Sequence, residues 1–113
     1  MRIGFGYDSH RFAEGRRLLL GGVEVTYEKG LLGHSDADAL VHAVVDAIIG
    51  ALGEGDIGRH FPDTDPRLKG ISSLVILKRA AEMAIHRGYA VSNVDSTVIL
   101  EKPRLAPFIE EMR

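Results

Sequence analysis

The sequence predicts a single α+β domain in which a mixed β-sheet carries helices packed on one face. The chain has 113 residues, of which 45% are hydrophobic and 27% charged, a composition typical of one globular core. Two long segments have the apolar periodicity of helices, and shorter segments are alternating or rich in β-branched residues. No linker, internal repeat or low-complexity segment divides the chain into further domains.

The first quarter of the chain is predicted to be β-structure. In residues 2–10, large apolar side chains alternate with Gly or Asp, and this period of two is typical of a strand. Residues 18–25 predict a hairpin, because Gly21 and Gly22 supply the positive φ angles that a tight turn needs. A loop is expected to open at residues 28–30.

Residues 35–52 form the clearest predicted helix. Ser35 is expected to cap it, with Asp38 three residues later in the position of a capping box. Gly53 and Gly55 are expected to end the helix. Residues 54–66, rich in Gly, Pro and Asp, are then predicted to form a loop.

The second half predicts helix, strand and helix in turn. The second helix is expected to run from Ser72 or Ser73 to Arg87, with Gly88 as its C-terminal glycine. Residues 91–100 predict a strand, and residues 105–113 begin another helical pattern. Because this pattern stops without a C-cap glycine or a polar tail, we expect the chain to lack its C-terminal part.

Charge and composition exclude several classes of protein. Fourteen Lys and Arg against sixteen Asp and Glu give a net charge of −2, which argues against a general binder of nucleic acid or membrane surfaces. No apolar run approaches the roughly 18–20 residues of a membrane span. The absence of cysteine excludes disulfides, thiol nucleophiles and thiolate metal sites. Without a signal peptide, the expected location is cytoplasmic.

Acidic residues and histidines are concentrated between residues 33 and 65. This stretch contains seven acids and three of the five histidines, but only one Lys or Arg. Such a stretch is usually a solvated acidic surface, but histidines interleaved with acids also make a cation site. The acids are Asp36, Asp38, Asp46, Glu54, Asp56, Asp63 and Asp65, and the histidines are His34, His42 and His60.

Asp8, His10 and His42 form a candidate three-ligand metal set. On a strand, Asp8 and His10 point to one face, the face on which the glycines at positions 4 and 6 leave open space. His42 lies in a narrow polar stripe of the first helix, between Asp38 and Asp46, either of which could orient its second ring nitrogen. Two histidines and a carboxylate with an open fourth position are typical of catalytic zinc. The alternative is a strand end and a helix edge that both face water.

Two further segments have both a functional and a structural interpretation. His34 and Ser35 precede the first helix, where exposed amides and the helix dipole favour a phosphate; simple capping by Ser35 is the alternative. The loop of residues 55–66 is long for so small a domain. Its acids suit the hydroxyl groups of a polyol, and a surface loop with turn-forming Asp and Pro is the alternative.

Several motifs, in the same order, closely resemble the 2-C-methyl-D-erythritol 2,4-cyclodiphosphate synthase family of the non-mevalonate isoprenoid pathway. The resemblance runs from Met1 to Arg113. Its specific parts are residues 2–10, residues 27–38, His42-Ala43, residues 55–66 and Asn93-Val94-Asp95.

This resemblance implies a metal-dependent phosphorus–oxygen lyase. It implies that Asp8, His10 and His42 bind Zn²⁺ or another divalent cation, and that a second divalent ion, Mg²⁺ or Mn²⁺, lies on the diphosphate of the substrate. Members are homotrimers with each active site between neighbouring subunits. They continue through a further strand and helix, including a Thr and a Glu that help to bind the diphosphate and the second ion.

The resemblance also implies the substrate and its contacts. The 2-phosphate of 4-diphosphocytidyl-2-C-methyl-D-erythritol 2-phosphate attacks the β-phosphorus, which closes a ring and releases CMP. His34 is the implied catalytic residue, and His34 and Ser35 contact the phosphates. Residues 56–58 and 61–65 hold the methylerythritol part, and residues 100–106 hold the cytidine. The implied substrate-binding residues are Asp8, Ser9, His10, His34, Ser35, Asp56, Ile57, Gly58, Phe61, Pro62, Asp63, Thr64, Asp65, Leu100, Glu101, Lys102, Pro103, Arg104, Leu105 and Ala106.

Two other functions use the same residues. One is a zinc phosphohydrolase, in which metal-bound water at the three ligands would give a linear product. The other is a metal-stabilised trimeric module that binds a cytidine nucleotide or an isoprenoid without turnover. Neither nucleic acid nor a membrane is expected as a partner.

Overall fold

Two antiparallel strand pairs and two packed helices make up most of the fold. The computed structural model describes residues 1–113. Strand β1 (Phe12–Glu14) pairs with β4 (Lys29–Leu31), and β2 (Leu18–Leu20) pairs with β3 (Val23–Val25). The helices are α1 (Ala39–Ala51), α2 (Ile57–His60), α3 (Ser73–His86) and α4 (Ile109–Met112), with 3₁₀ turns at Pro66–Leu68 and Ala106–Phe108.

The α+β class is confirmed, but the mixed sheet is wrong. Both sheets have only two strands, and both are antiparallel. The hairpin β2–β3 is confirmed: Leu20 pairs with Val23 across Gly21 and Gly22, whose φ angles are 61° and 76°. The loop predicted at residues 28–30 is instead mostly strand β4, because it pairs with a strand that the sequence pattern did not indicate.

The strands predicted at residues 2–10 and 91–100 do not form. Neither segment makes a backbone hydrogen bond to another strand. An alternating pattern gives a segment two distinct faces, whereas a strand also requires a partner with which to share its backbone groups. Within this chain the two segments have no such partner.

Helix α1 begins later than the sequence pattern suggests. Asp38, not Ser35, is the N-cap, and its carboxylate accepts a hydrogen bond from the Val41 amide at 3.0 Å. The reason is Ala37, whose φ of 59° is left-handed and cannot belong to a right-handed helix. The predicted stop is confirmed, since Gly53 follows the helix with a φ of 70°.

The later helices agree with the sequence prediction. Ser72 caps α3 by accepting a hydrogen bond from the Leu74 amide, and Gly88 follows it with a φ of 81°. The predicted loop of residues 54–66 contains the single turn of α2. Residues 105–113 are helical for most of their length.

The core lies in two clusters that Asp38 connects. The first joins α1 to α3, and the second lies behind the hairpin. The first consists of Val41, Val45, Ile48, Ile49, Leu52, Ile76, Ala80 and Ala84, and the second of Leu18, Leu20, Val25, Leu31 and Ala37. The Asp38 carboxylate, 1% exposed, accepts hydrogen bonds from the amides of Gly21 at 3.0 Å and Gly22 at 2.7 Å. It therefore ties the hairpin turn to the start of α1.

The N-terminal segment lies directly on α1. A Cβ atom on Gly4 would lie 1.9 Å from the carbonyl oxygen of Ala47, and one on Gly6 would lie 1.8 Å from that of Ala43. Only glycine permits this approach. The face that carries the glycines is therefore filled by helix backbone, and the open space expected there is absent. The opposite face carries Ile3, Phe5 and Tyr7, which are 87%, 85% and 73% exposed.

None of the four helices has the length and apolar character that crossing a bilayer requires. The cytoplasmic location and the lack of a C-terminal part both stay predictions.

Candidate metal centre and substrate site

Asp8, His10 and His42 converge where the N-terminal segment crosses α1. Each of the three residues offers one atom that could bind a metal ion, and these three atoms all lie within 4.8 Å of one another. The Asp8 Oδ2 atom is 2.7 Å from Nδ1 of His10 and 3.7 Å from Nδ1 of His42. The three side chains that the sequence grouped as a metal set are therefore brought together.

Two polar atoms of this group of residues are buried without a hydrogen-bond partner. They are Oδ2 of Asp8 and Nδ1 of His10, which are close but not oriented to hydrogen-bond one another. Unpaired buried polar atoms are costly, so such a pair needs a further group to bind. Two imidazole nitrogens and a carboxylate oxygen are donors that divalent transition metals prefer. The residues fit a divalent cation.

The environment of His42 favours the form that binds metal. Burial lowers the pKa of His42 below its ordinary value of 6.5; the neighbouring Asp8 carboxylate acts in the opposite direction, and a charge on His10 would lower it further. The lowered pKa keeps the imidazole neutral at neutral pH. A neutral ring nitrogen offers the lone pair that a metal ion needs.

The second ring nitrogen of His42 does not contact Asp38 or Asp46, so that expectation is wrong. It lies 2.8 Å from Oγ of Ser73 and 3.2 Å from Oγ of Ser35. Asp38 is occupied by the hairpin amides, and Asp46 accepts a hydrogen bond from the Ile57 amide at 3.0 Å. The carboxylates of Asp38 and Asp46 therefore accept hydrogen bonds from backbone amides and not from the imidazole of His42.

Ser35 contacts the metal ligand His42, and His34 precedes Ser35, but neither residue lies at a helix N-terminus. The Nε2 atom of His34 is 2.8 Å from the carbonyl oxygen of Asp65, and the His34 carbonyl accepts from Gly70. Ser35 is buried, and its Oγ accepts a hydrogen bond from the Ala37 amide. Because α1 begins only at Ala39, its dipole does not act directly at these two residues, and the expectation that it would is wrong.

The loop that follows α1 presents a mixed set of side chains near His34. Ile57 and Phe61 pack against the first core cluster. Asp56 caps α2 by accepting from the Arg59 amide, while Gly58 is exposed. The remaining candidates of this loop are half-buried Pro62, exposed Asp63 and Thr64, and half-buried Asp65.

Asp65 is held by Arg67 at the end of this loop. Its carboxylate accepts from the guanidinium at 2.9 Å and from the Arg67 amide at 2.9 Å. The hydrogen bonds from the Arg67 side chain and backbone hold the pKa of Asp65 below its ordinary value of 3.8. Asp65 is therefore ionised whenever the protein is near neutral pH.

Residues 100–106 make no polar contact with the metal ligands. Leu105 packs against the second core cluster, and no hydrogen bond or ion pair links the segment to Asp8, His10 or His42. Glu101, Lys102, Arg104 and Ala106 are exposed, and Leu100 and Pro103 are half-buried. Ser9, between the two ligands of the N-terminal segment, is exposed as well. Within one chain, the segment compared with a cytidine site therefore makes no polar contact with the metal centre.

Most acidic side chains between residues 33 and 65 form hydrogen bonds with main-chain amides. Five of its seven carboxylates accept hydrogen bonds from main-chain amides. These five are Asp36, Asp38, Asp46, Asp56 and Asp65. Glu54 pairs with Arg87 instead. Only Asp8, outside the stretch, contributes a carboxylate to the metal group.

Ser73 was missed by sequence reasoning as a residue of the site. The sequence pattern predicted that the second helix begins at Ser72 or Ser73 and did not distinguish between them. Ser72 is the cap, and the hydroxyl of Ser73 instead faces His42. The only sequence signal for this contact is the pair of adjacent serines at the start of the helix. That pair does not indicate which side chain the second serine contacts.

A sequence model of the YgbB family matches residues 1–113. The chain belongs to the YgbB family. A relative from Pelobacter propionicus, named 2-C-methyl-D-erythritol 2,4-cyclodiphosphate synthase, is 60% identical over 113 residues, which is 100% of this chain and 72% of the relative. YgbB-family membership and this similarity agree with the resemblance found in the sequence.

Solved structures agree with this family. A structure of 2C-methyl-D-erythritol-2,4-cyclodiphosphate synthase has a TM-score of 0.83 at 42% identity and covers 98% of this chain and 74% of that one. A structure of the same description in a CDP-bound form has a TM-score of 0.82 at the same identity and coverage. This chain therefore resembles these structures in sequence as well as in fold.

Proposed function

We propose that this protein is a 2-C-methyl-D-erythritol 2,4-cyclodiphosphate synthase of the non-mevalonate isoprenoid pathway. The observation that carries the proposal is the group of Asp8, His10 and His42, in which two buried polar atoms have no hydrogen-bond partner. Membership of the YgbB family and the names of the relatives support the same activity.

The reaction is an intramolecular phosphoryl transfer. A 2-phosphate oxygen of 4-diphosphocytidyl-2-C-methyl-D-erythritol 2-phosphate forms a bond to the β-phosphorus, and the bond from that phosphorus to the oxygen of CMP breaks. The products are the cyclic diphosphate and CMP. No covalent enzyme nucleophile is needed, which agrees with a chain that has no cysteine. Positioning and charge stabilisation provide the catalysis.

Asp8, His10 and His42 hold a divalent cation, which we propose is zinc. When bound, the cation supplies positive charge against the phosphates of the substrate. We expect His42→Ala to lose most bound zinc, because one of three protein ligands is removed. His86→Ala is the matched control, since His86 is exposed in the last turn of α3. Elemental analysis of both variants measures this, and full zinc occupancy in His42→Ala would contradict the assignment.

His34 and Ser35 contact the phosphates, with His34 as the catalytic residue. Ser35 contacts the metal ligand His42, and His34 precedes Ser35 in the chain. Because its Nε2–H is donated to the Asp65 carbonyl, His34 donates to a phosphate oxygen through Nδ1–H when the ring is protonated, as charge develops. Residues 56–58 and 61–65 hold the methylerythritol part. The exposed side chains of Asp63 and Thr64 support this role, because they are free to hydrogen-bond hydroxyl groups.

We also propose that the active site is completed between subunits of a homotrimer. The lack of any hydrogen bond or ion pair between residues 100–106 and the metal ligands in one chain supports a site in which a neighbouring subunit provides the cytidine contacts. Mixing His42→Ala chains with Arg104→Ala chains is then expected to restore part of the activity. Mixtures in which both chains carry the same substitution are the control. Absence of recovery, or a monomer in sedimentation equilibrium, would contradict a shared site.

A second divalent ion, Mg²⁺ or Mn²⁺, is proposed on the diphosphate. No residue of this chain is assigned to it, so the diphosphate itself is the expected ligand. Activity of the zinc-loaded protein is expected to require added Mg²⁺ or Mn²⁺. Full activity with zinc as the sole divalent cation would exclude this second ion.

Incubation with the cytidylyl substrate tests the proposed function. A cyclic diphosphate together with CMP, identified by ³¹P NMR, is the expected result. A linear product would indicate the phosphohydrolase, and binding without turnover would indicate a binding module. Either result would overturn the proposed synthase activity. Asp8→Asn provides the matched inactive control, because it removes the carboxylate with little change in volume.

A further inference from the structure

The two ring nitrogens of His42 face different groups. Nδ1 lies on the side of Asp8, 3.7 Å from its carboxylate, where the proposed cation binds. Nε2 points to the opposite side and lies 2.8 Å from Oγ of Ser73. A neutral imidazole carries one proton, so only one of these two nitrogens can offer a lone pair to a metal ion.

The Ser73 hydroxyl is committed to a carboxylate. Its Oγ donates a short hydrogen bond to Oδ1 of Asp36, and the Ser73 amide donates to Oδ2 of the same residue at 3.0 Å. Ser73 is fully buried, so water does not replace either bond. Asp36 also accepts from the Asp38 amide at 3.2 Å, which fixes its carboxylate from the side of α1.

The direction of the hydrogen bonds follows from their donors. An ionised carboxylate only accepts, so the single hydroxyl proton of Ser73 goes to Asp36. The oxygen of Ser73 then presents only lone pairs to His42, and the ring proton must be on Nε2 for this contact to be a hydrogen bond. Ser35, at 3.2 Å, is the more distant of the two hydroxyls.

We propose that Asp36 and Ser73 are positioning residues that fix His42 in the Nε2–H tautomer and so present its Nδ1 lone pair to the metal site. This inference rests on the metal-dependent function proposed above. Neither residue is a metal ligand, and neither is among the substrate-binding candidates. Metal-binding histidines commonly donate their other N–H to such a partner, and loss of the partner typically costs about 10- to 100-fold in metal affinity.

Ser72 supplies the matched control for Ser73. Both serines lie at the start of α3, but Ser72 is exposed and its hydroxyl accepts only from the Leu74 amide. Ser72→Ala therefore weakens the helix cap without touching His42. Ser73→Ala removes the acceptor of the Nε2 proton, and Ser73→Thr retains a hydroxyl at the same position.

The first measurement uses the unchanged protein without metal, labelled with ¹⁵N. Long-range ¹⁵N–¹H correlation spectra at mildly alkaline pH report which nitrogen of His42 carries the proton. We expect the Nε2–H tautomer. Observation of mainly the Nδ1–H tautomer would overturn the inference without any substitution, so the result does not depend on the folding of a variant.

The second measurement is the affinity for zinc alone, by competition with a chelator. Ser73→Ala is expected to bind zinc about 10- to 100-fold more weakly, Ser72→Ala within about twofold of the unchanged protein, and Ser73→Thr nearer to the unchanged protein. Equal affinities of Ser73→Ala and Ser72→Ala would overturn the positioning role. If the tautomer and affinities are as expected but no cyclic product forms, the inference stands while the proposed function fails.

Discussion

Gly6 contacts α1 so closely that a Cβ atom would lie 1.8 Å from the carbonyl oxygen of Ala43. His42 precedes Ala43, while Asp8 and His10 follow Gly6 along the N-terminal segment. The distance between a glycine and a helix carbonyl therefore sets how near the three proposed metal ligands approach one another.

Gly6→Ala is expected to separate the N-terminal segment from α1. The added methyl group collides with backbone, which cannot move as a flexible side chain can, so we expect a loss of about 1–3 kcal/mol in the free energy of unfolding. Zinc affinity is expected to fall as well. Gly50→Ala is the control, because its Cβ has only Phe5 within ordinary contact at 3.9 Å and alanine favours helix by about 0.5–1 kcal/mol. Denaturant unfolding and chelator competition measure both effects, and a fully stable, zinc-binding Gly6→Ala protein would disprove this account.

His34→Ala is expected to lower kcat by about 10²–10³, the typical cost of removing one donor to a developing negative charge. It also removes the contact to the Asp65 carbonyl at 2.8 Å, so a rise in KM is expected from the loosened loop. Zinc content is expected to stay unchanged. Steady-state kinetics and metal analysis of the same sample measure the three quantities. Unchanged turnover would refute the phosphate role, whereas loss of zinc would place His34 among the ligands.

Asp38→Ala is expected to destabilise the fold more than any exposed acid would. The change removes the N-cap of α1 and leaves the amides of Gly21 and Gly22 without their acceptor. We expect a loss of about 2–4 kcal/mol in the free energy of unfolding. Asp63→Ala, at an exposed position, is expected to change it by less than about 0.5 kcal/mol. Equal midpoints of the two variants in urea would show that the tie between hairpin and helix contributes nothing.

The ion pair of Asp65 and Arg67 predicts a specific dependence on pH. Because the pKa of Asp65 is lowered in the folded protein, its stabilising effect is present above the ordinary value of 3.8 and is lost as pH falls through the lowered pKa. Arg67→Gln is expected to move the pKa of Asp65 back toward 3.8, and Arg59→Gln is expected to leave it in place. A ¹³C NMR titration of the carboxyl carbon measures this, and an Asp65 pKa insensitive to Arg67 would contradict the assigned cause.

The two long helices and the grouping of Asp8 with His10 were predictable because their signals are local. Apolar periodicity with glycine stops predicted α1 and α3, and the spacing of Asp8 and His10 predicted that they lie together, although their segment does not form the strand on which that prediction was based. The start of α1 was not predictable to the residue, because Ala37 has a left-handed φ that alanine rarely adopts. The loop of residues 54–66 was recognised as a loop, but its short helical turns depend on capping by Asp56 and Asp65.

The failures concern partners that are distant in sequence. The segments at residues 2–10 and 91–100 have the pattern of strands, yet pattern alone does not provide a pairing strand. The contact between His42 and Ser73 joins residues 31 positions apart. Which of two adjacent serines meets the imidazole depends on how α3 packs on α1, and a single sequence does not state that packing.

The use of carboxylates as acceptors for backbone amides limits how the surface charge of this protein can be redesigned. Replacing acids in the stretch from residue 33 to 65 to alter solubility would remove a turn or a cap at most positions, since five of the seven hold main-chain amides. Asp63 makes no hydrogen bond or ion pair and is exposed. At Asp63 one unit of charge can therefore change while the fold around it stays intact, but the same position is proposed to hold the substrate, so a charge variant there changes binding rather than architecture.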